Sequence, residues 1–151
     1  IGPGGFDNYN LISNYIGATI NITTANNYNE PAGTIFNIGT ININNGVTVY
    51  NSGTITNNSG GNIYNSGTIY NSGTFTNGGT ITNSGVIINN VAATLTNSGT
   101  INNNVAATLT NLGLIANSGT INNVDGAQIN GNGSIDPKGT ITGAGSCNQC
   151  A

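Results

Sequence analysis

Few residues in this chain carry groups that could do acid–base chemistry. The carboxylates are Asp7, Glu30, Asp125 and Asp136, and there is no histidine, no arginine and one lysine, Lys138. General acid–base catalysis needs titratable groups that converge, and a serine or threonine nucleophile needs an activating base. The four acids share no common spacing, so we expect no enzyme, no metal site and no cofactor. One lysine cannot neutralise a phosphate backbone, which argues against nucleic-acid binding.

Two cysteines, Cys147 and Cys150, stand in the tail sequence GSCNQCA. Two thiolates do not complete a four-ligand zinc site, and no histidine is present to help. A redox Cys-x-x-Cys normally opens a helix in a βαβ setting, which this sequence lacks. We therefore expect an extracellular disulfide, formed either within the tail or to a neighbouring molecule.

The rest of the chain is organised by a repeat, written most regularly as NSGTIYNSGTFTNGGTITNSGVI over residues 65–87. Alternate side chains of a strand share a face, so one apolar residue of each unit points inward. From residue 35 these inward positions are six or eight residues apart, and three steps from Ile35 add up to twenty. They are Ile35, Ile41, Val49, Ile55, Ile63, Ile69, Phe75, Ile81, Ile87, Leu95, Ile101, Leu109, Ile115, Ile121, Ile129, Ile135 and Ile141. The pattern predicts an all-β, three-sided β-solenoid (β-helix) with about 20 residues per coil.

Asparagine follows nearly every inward residue by two positions, where each corner begins. We attribute this to its tolerance of the left-handed backbone conformation, with glycine nearby for the same reason. At the period of twenty, five of these residues should stack as a hydrogen-bonded Asn ladder at a corner: Asn37, Asn57, Asn77, Asn97 and Asn117. Eight-residue steps add a longer corner, in which we expect Val91, Val105 and Val124 to fill the interior.

Gly-Thr-Ile and Asn-Ser-Gly strings over roughly residues 33–143 resemble the extracellular β-helix repeats of filamentous-haemagglutinin-type adhesins and related fibre proteins. The resemblance implies the same architecture and an extracellular role. The chain lacks the Gly-Gly-x-Gly-x-Asp string of calcium-binding repeats and the clustered acids of β-helical polysaccharide lyases.

The sequence divides into three parts. Residues 1–32 form an irregular N-terminal arm or cap with a first coil, 33–143 the β-solenoid, and 144–151 a tail with the Cys-x-x-Cys sequence. No apolar run is long enough to span a membrane. The chain starts at Ile1 rather than methionine, which we take as a hint that a leader has been removed. With 3% charged residues the surface is nearly neutral, and we expect a secreted protein outside the cell or on its surface.

These features predict a structural subunit of a self-assembling extracellular filament or surface fibre, whose partner is a further copy of the chain. Charge and proline near both ends argue against blunt stacking of coils, so we expect an N-terminal arm or a keyed end to make the joint. Candidate assembly residues are Ile1, Phe6, Tyr9, Tyr50, Tyr64 and Tyr70, of which Tyr50 and Tyr70 should stack.

Two alternatives remain open from the sequence. An ice-binding β-solenoid would use a flat Thr-x-Thr face made of three rows: Thr54 and Thr56, Thr74 and Thr76, Thr94 and Thr96. An adhesin stalk would bind a glycan or a surface through its tyrosines.

Overall fold

The computed structural model describes residues 4–136 and 139–150 of the chain. Ile1, one of the candidate assembly residues, lies outside these ranges. The described residues form 22 short strands, and every paired strand is parallel to its neighbours. They make three sheets, named here faces A, B and C in the order in which the chain visits them.

Face A contains eight strands: β1 (Asp7–Asn8), β4 (Asn26–Asn29), β7 (Thr48–Asn51), β10 (Thr68–Asn71), β13 (Val86–Asn89), β16 (Thr108–Asn111), β19 (Gln128–Asn130) and β22 (Ser146–Cys147). Face B contains seven: β2 (Leu11–Asn14), β5 (Thr34–Asn37), β8 (Thr54–Asn57), β11 (Thr74–Asn77), β14 (Thr94–Asn97), β17 (Leu114–Asn117) and β20 (Ser134–Ile135). Face C contains seven: β3 (Thr19–Ile22), β6 (Thr40–Ile43), β9 (Asn62–Asn65), β12 (Thr80–Asn83), β15 (Thr100–Asn103), β18 (Thr120–Asn123) and β21 (Thr140–Thr142). The predicted three-sided β-solenoid is confirmed, with about seven coils.

The predicted period follows from the strand register. On face B, Ile35 pairs with Ile55 and Phe75 pairs with Leu95, both twenty residues apart. Single steps on the other faces depart from twenty because the longer corner moves between vertices. The inward side chains form one continuous apolar core along the axis. Strand pairing already begins at Asp7, so the N-terminal residues from there onward belong to the coils and do not extend as a separate arm.

The predicted Asn ladder is confirmed. Each amide Nδ2 donates to the Oδ1 of the next asparagine along the axis, from Asn37 to Asn57 at 2.7 Å and onward to Asn117 at 2.7–2.8 Å. Asn14 precedes this ladder at the corner between faces B and C. Each Nδ2 also donates to backbone carbonyls; that of Asn77 reaches Gly79 at 3.2 Å and Thr100 at 3.0 Å. The buried amides of this ladder are thus paired by side-chain and backbone groups, as burial requires.

Two further ladders lie at the other corners. Between faces A and B the members are Asn8, Asn29, Asn51, Asn71, Asn89 and Asn111. Between faces C and A they are Asn65, Asn83, Asn103 and Asn123. In the first two coils this third corner holds Ile22 and Ile43 instead, both buried.

The reason we gave for asparagine at the corners is wrong. Among the described residues, the only non-glycine residues with positive φ are Ala92 (65°) and Ala106 (63°). Asparagine ends most strands without a positive φ, and its ladder hydrogen bonds explain its place there. Short-corner glycines are mostly required by close packing: a Cβ on Gly79 would collide with the carbonyl oxygen of Gly61 in the coil before it.

The long corners also differ from expectation. Val91 and Val105 are 74% and 70% exposed and do not fill the interior. The left-handed Ala92 turns the chain back, so that Ala93 is the buried residue of its corner. Ala107 is buried in the same way after the left-handed Ala106. Val124 is half-buried.

Candidate assembly surfaces at the ends and on the faces

Within residues 4–136 and 139–150, the N-terminal end of the solenoid is an open sheet edge. Strands β1, β2 and β3 each have a neighbour on one side only. The inward side chains Phe6, Ile12 and Ile20 of this first coil pack on the core but remain partly exposed, because no coil of the described residues covers them. An unpaired parallel edge with apolar side chains behind it is a template for another strand. Phe6, an assembly candidate, therefore belongs to the end of the core.

A group of large apolar side chains surrounds this open end. Tyr9, Leu11, Tyr15 and Ile16 are 66%, 59%, 64% and 83% exposed. Tyr9 was a sequence candidate, whereas the other three were missed because they do not fit the repeat. A concentration of exposed large apolar residues in one coil is typical of an interaction surface.

A cavity of about 510 Å³ opens at the same end and runs inside the solenoid as far as Phe75. Its wall is made mostly of isoleucine and valine from the first four coils. Phe75, in the fourth coil, stands at the inner limit of the cavity. The residues that line the mouth are Phe6, Ile12, Thr19, Ile20, Asn21 and Ile22.

The C-terminal end is partly covered by the tail. Cys147 and Cys150 form a disulfide within the tail, and both pack against the core. Gln149 lies two residues after the inward Cys147, at the ladder offset. Its Nε2 donates to the Asn111 carbonyl at 2.9 Å, and its Oε1 accepts from Asn111 Nδ2 at 3.2 Å. The two-residue offset could have been read from the sequence, but the prediction looked only for asparagine at that position and so missed Gln149.

The longer side chain of Gln149 has a reason. Gly131 stands at the intervening ladder position with φ of 114°, where a Cβ would collide with the Asn111 carbonyl. Gly143 takes the equivalent position after Asn123, whose Nδ2 donates to the Ser146 carbonyl at 2.9 Å. The tail thus satisfies the last donors of two ladders.

Face A carries a column of stacked aromatic rings on its outer side. Tyr28 and Tyr50 have ring centroids 4.9 Å apart, and Tyr50 and Tyr70 have centroids 5.2 Å apart. The planes differ by 10° and 6°, and Ile88 continues the column. Tyr64 lies on face C. The sequence pointed to Tyr50 and Tyr70 but missed Tyr28, since the first coils do not follow the period of twenty.

Face B carries the three threonine rows in register. Thr54 pairs with Thr74 and Thr74 with Thr94, while the second column runs from Thr56 through Thr76 to Thr96. Phe36 precedes the second column, and Leu114 and Ala116 end the two columns. The flat array is three rungs tall.

Charged groups are dispersed over the part of the chain that the structure describes. No group of three or more histidine, cysteine, aspartate or glutamate residues is close enough there to hold a metal ion. No helix in residues 4–136 or 139–150 is long and apolar enough to cross a membrane.

Comparison of the chain with protein-family models, with curated proteins and with solved structures found no match.

Proposed function

We propose that this chain is a non-catalytic structural subunit of a self-assembling extracellular filament or surface fibre, with a second copy of itself as partner. The observation that carries the proposal is the open N-terminal end. Among the described residues, three strands paired on one side only, a half-covered apolar core and a group of exposed apolar side chains occur there together. A further chain bound at this end would pair the strands and cover the apolar surface.

The remainder of the surface suits such a role. One cation and four acids in 151 residues leave little charge repulsion between copies. The outer faces offer hydroxyl, amide and aromatic groups rather than a cleft with converging titratable groups. The resemblance to fibre repeats in the Gly-Thr-Ile and Asn-Ser-Gly strings agrees with this proposal.

An extracellular location is part of the proposal. The Cys147–Cys150 disulfide supports an oxidising compartment, because cytosolic thiols are normally kept reduced. Corners rich in asparagine and glycine, with few charges, also suit a protein outside the cell. Mass spectrometry of fractionated source cells, with alkylation before reduction, would locate the chain and its oxidised form.

Electron microscopy of the purified chain in non-denaturing buffer tests the function. We expect filaments in the wild type and their loss in Leu11→Lys/Ile16→Lys, which places charge in the apolar cluster of the open end. Val91→Lys/Val105→Lys is the matched control, because it adds the same charge at equally exposed apolar residues in the middle of the solenoid. Deletion of residues 1–14, which removes β1 and β2, provides a second and stronger perturbation.

Single particles in the wild type at high concentration would contradict the proposal. Filaments that persist in both the Leu11→Lys/Ile16→Lys variant and the deletion variant would move the joint away from the N-terminal end. Circular dichroism of each variant separates loss of assembly from loss of folding.

Ice binding is the second candidate, and the registered threonine rows of face B favour it. Threonine methyl and hydroxyl groups at a regular strand spacing of about 4.8 Å form a flat, repetitive surface. The measurement is thermal hysteresis of the wild type and of Thr74→Tyr, which breaks the middle row. Hysteresis that disappears in the variant supports ice binding, and its absence in the wild type excludes it.

A further inference from the structure

One Asn-Gly pair of this chain stands in an exposed turn, away from the ladders. The sequence contains the pairs Asn45-Gly46, Asn77-Gly78, Asn130-Gly131 and Asn132-Gly133. The first lies between β6 and β7, at the corner between faces C and A. We propose that Asn45 is a site of spontaneous deamidation, at which water converts the side-chain amide to a carboxylate and ammonia is released. The proposal is independent of assembly.

The turn around Asn45 is open and held by few contacts. The Val47 amide donates to the Asn44 carbonyl at 3.2 Å, so Asn45 and Gly46 are its two central residues, and both are exposed. Within the part of the chain that the structure describes, the Gly46 amide donates no backbone hydrogen bond. Gly46 has φ of 76°, and a Cβ at this position would have no atom within 4 Å. The Gly46 amide is therefore free to rotate towards the Asn45 side chain.

The reaction needs only these two residues and water. The Gly46 amide nitrogen loses its proton and attacks Cγ of Asn45, the bond from Cγ to Nδ2 breaks, and the nitrogen leaves as ammonia. The product is a cyclic succinimide. Water opens the ring at Cγ to give aspartate, or at the main-chain carbonyl carbon to give isoaspartate. Each route consumes water, releases ammonia and transfers no electrons.

In the regular coils the same dipeptide is protected. Nδ2 of Asn77 donates to Oδ1 of Asn97 at 2.7 Å, and Oδ1 of Asn77 accepts from Asn57 at 2.8 Å. The Gly78 amide donates to the Asn57 carbonyl at 2.7 Å. Both reacting groups are thus engaged, so deamidation of Asn77 requires local opening of the coil.

The two pairs near the C-terminal end are also restrained. The Gly133 amide donates to the Asn111 carbonyl at 3.0 Å, which holds its nitrogen away from the exposed Asn132 side chain. Gly131, which follows Asn130, is packed so closely that a Cβ would collide with the Asn111 carbonyl. The Asn45 turn is therefore the most reactive of the four sites.

The same corner of a later coil already holds an aspartate. Asp125 and Gly126 are the central residues of a turn that is closed by a backbone hydrogen bond of 3.0 Å between the residues on either side. Gly126 has φ of 78°, close to the value at Gly46. A carboxylate is thus compatible with this turn, and deamidation of Asn45 leaves the flanking strands in place. It adds one negative charge to a formal net charge of −3, so chains of different age differ in charge at one corner.

Peptide mass spectrometry of the folded wild-type chain, incubated at neutral and mildly alkaline pH, is the first test. An isoaspartyl methyltransferase serves as the probe for isoaspartate. We expect Asn45 to deamidate on the order of 100-fold faster than Asn77, because the ladder at Asn77 must open first. The rate at Asn45 should rise with pH, since the Gly46 amide must lose its proton. In urea the two sites should react at similar rates.

Deamidation of Asn77 as fast as that of Asn45 in the folded chain would overturn the inference, as would the absence of isoaspartate at residue 45. Isoelectric focusing provides a second reading. The aged wild type should acquire an acidic form that migrates with freshly prepared Asn45→Asp. Filament formation is tested on fresh protein, so failure of either proposal is separate from failure of the other.

Gly46→Ala tests the chemical route. Ala106 occupies the same place in a later coil with φ of 63°, so this turn accepts alanine. The added methyl group crowds the amide and restricts its rotation, and deamidation of Asn45 should slow on the order of 10-fold. Gly78→Ala is the matched control and should leave the rate at Asn45 unchanged. Equal rates at Asn45 in the wild type and in Gly46→Ala would show that the succinimide route is wrong.

Discussion

The first two coils of the solenoid and the coils that follow differ at the corner between faces C and A. From the third coil onward this corner is closed by Asn65, Asn83, Asn103 and Asn123, whose amides form a ladder. The first two coils have Ile22 and Ile43 at the same place. At this corner the side chains of the later coils are joined by directional hydrogen bonds, whereas those of the first two coils make apolar contact only.

The difference is visible in the polar atoms that are left without partners. Among the described residues, the buried side-chain atoms without a hydrogen bond are Thr24 Oγ1, Asn27 Oδ1 and Asn65 Oδ1. Two lie in the early coils, and the third is the start of the ladder, where Ile43 offers no donor. The cavity lies in this part too. From this comparison we infer that the N-terminal coils are less stable than the later coils. They are therefore better able to adapt to a partner.

The largest effect should come from glycine in a short corner of the regular coils. In Gly79→Ala the added Cβ meets the backbone of the preceding coil, so we expect a loss of at least about 3 kcal/mol in the free energy of unfolding. Gly78→Ala is the matched control, since its Cβ would be 3.6 Å from the nearest atom. It should be neutral or slightly stabilising. Urea denaturation measures both, and equal effects would refute the close-packing explanation.

The ladder predicts the next effect in size. Asn83 accepts from Asn65 and donates to Asn103, both at 2.8 Å, whereas Asn65 has no donor to its own Oδ1. We expect Asn83→Ala to lower the free energy of unfolding by about 3 kcal/mol and Asn65→Ala to lower it by about 2 kcal/mol. The exposed Asn45→Ala is the control and should change little. Equal melting temperatures for Asn65→Ala and Asn83→Ala would contradict the role of the ladder start.

The tail provides a third comparison, between the covered C-terminal end and the open N-terminal end. Cys147→Ser/Cys150→Ser removes a short cross-link and should lower stability by about 2 kcal/mol. Hydrogen exchange should rise at the Gly133 and Ser146 amides and stay unchanged near Asp7. Wild type in reducing agent should behave as the variant does. Increased exchange at both ends would show that the tail does not act locally.

The smallest effect concerns one buried amide in the early coils. Asn27 occupies an inward position on face A where the next coil has Val49, and its Oδ1 lacks a partner. Asn27→Val should stabilise by about 1 kcal/mol, because removal of the unpaired acceptor outweighs the lost bonds to Thr24 and Thr48. The control Asn29→Val removes a ladder member and should destabilise. A lower melting temperature for Asn27→Val would show that its amide is needed.

The regular coils could be predicted closely because a single local rule governs them. The spacing of Ile55, Phe75 and Leu95 predicted three strands per coil and the Asn ladder that follows two residues later. The first coils could not be predicted in this way, since their steps of 21–23 residues broke the period and concealed Tyr28. At the other end, the ladder role of Gln149 was masked by its residue type. The prediction that Val91 and Val105 point into the interior was wrong. Their direction depends on the left-handed backbone conformation of Ala92 and Ala106, which composition does not reveal.

The sequence by itself determined the class of fold, the inward residues and the near absence of charge. These are properties of single strands and of composition, and they follow from side-chain alternation and periodicity. Only the tertiary structure decided which end is open, where the ladders begin and end, and which face the last strand occupies. Those features depend on the stacking of whole coils. The same residue type in the same repeat position has hydrogen-bond partners on both sides in the middle of a ladder and lacks one where the ladder begins.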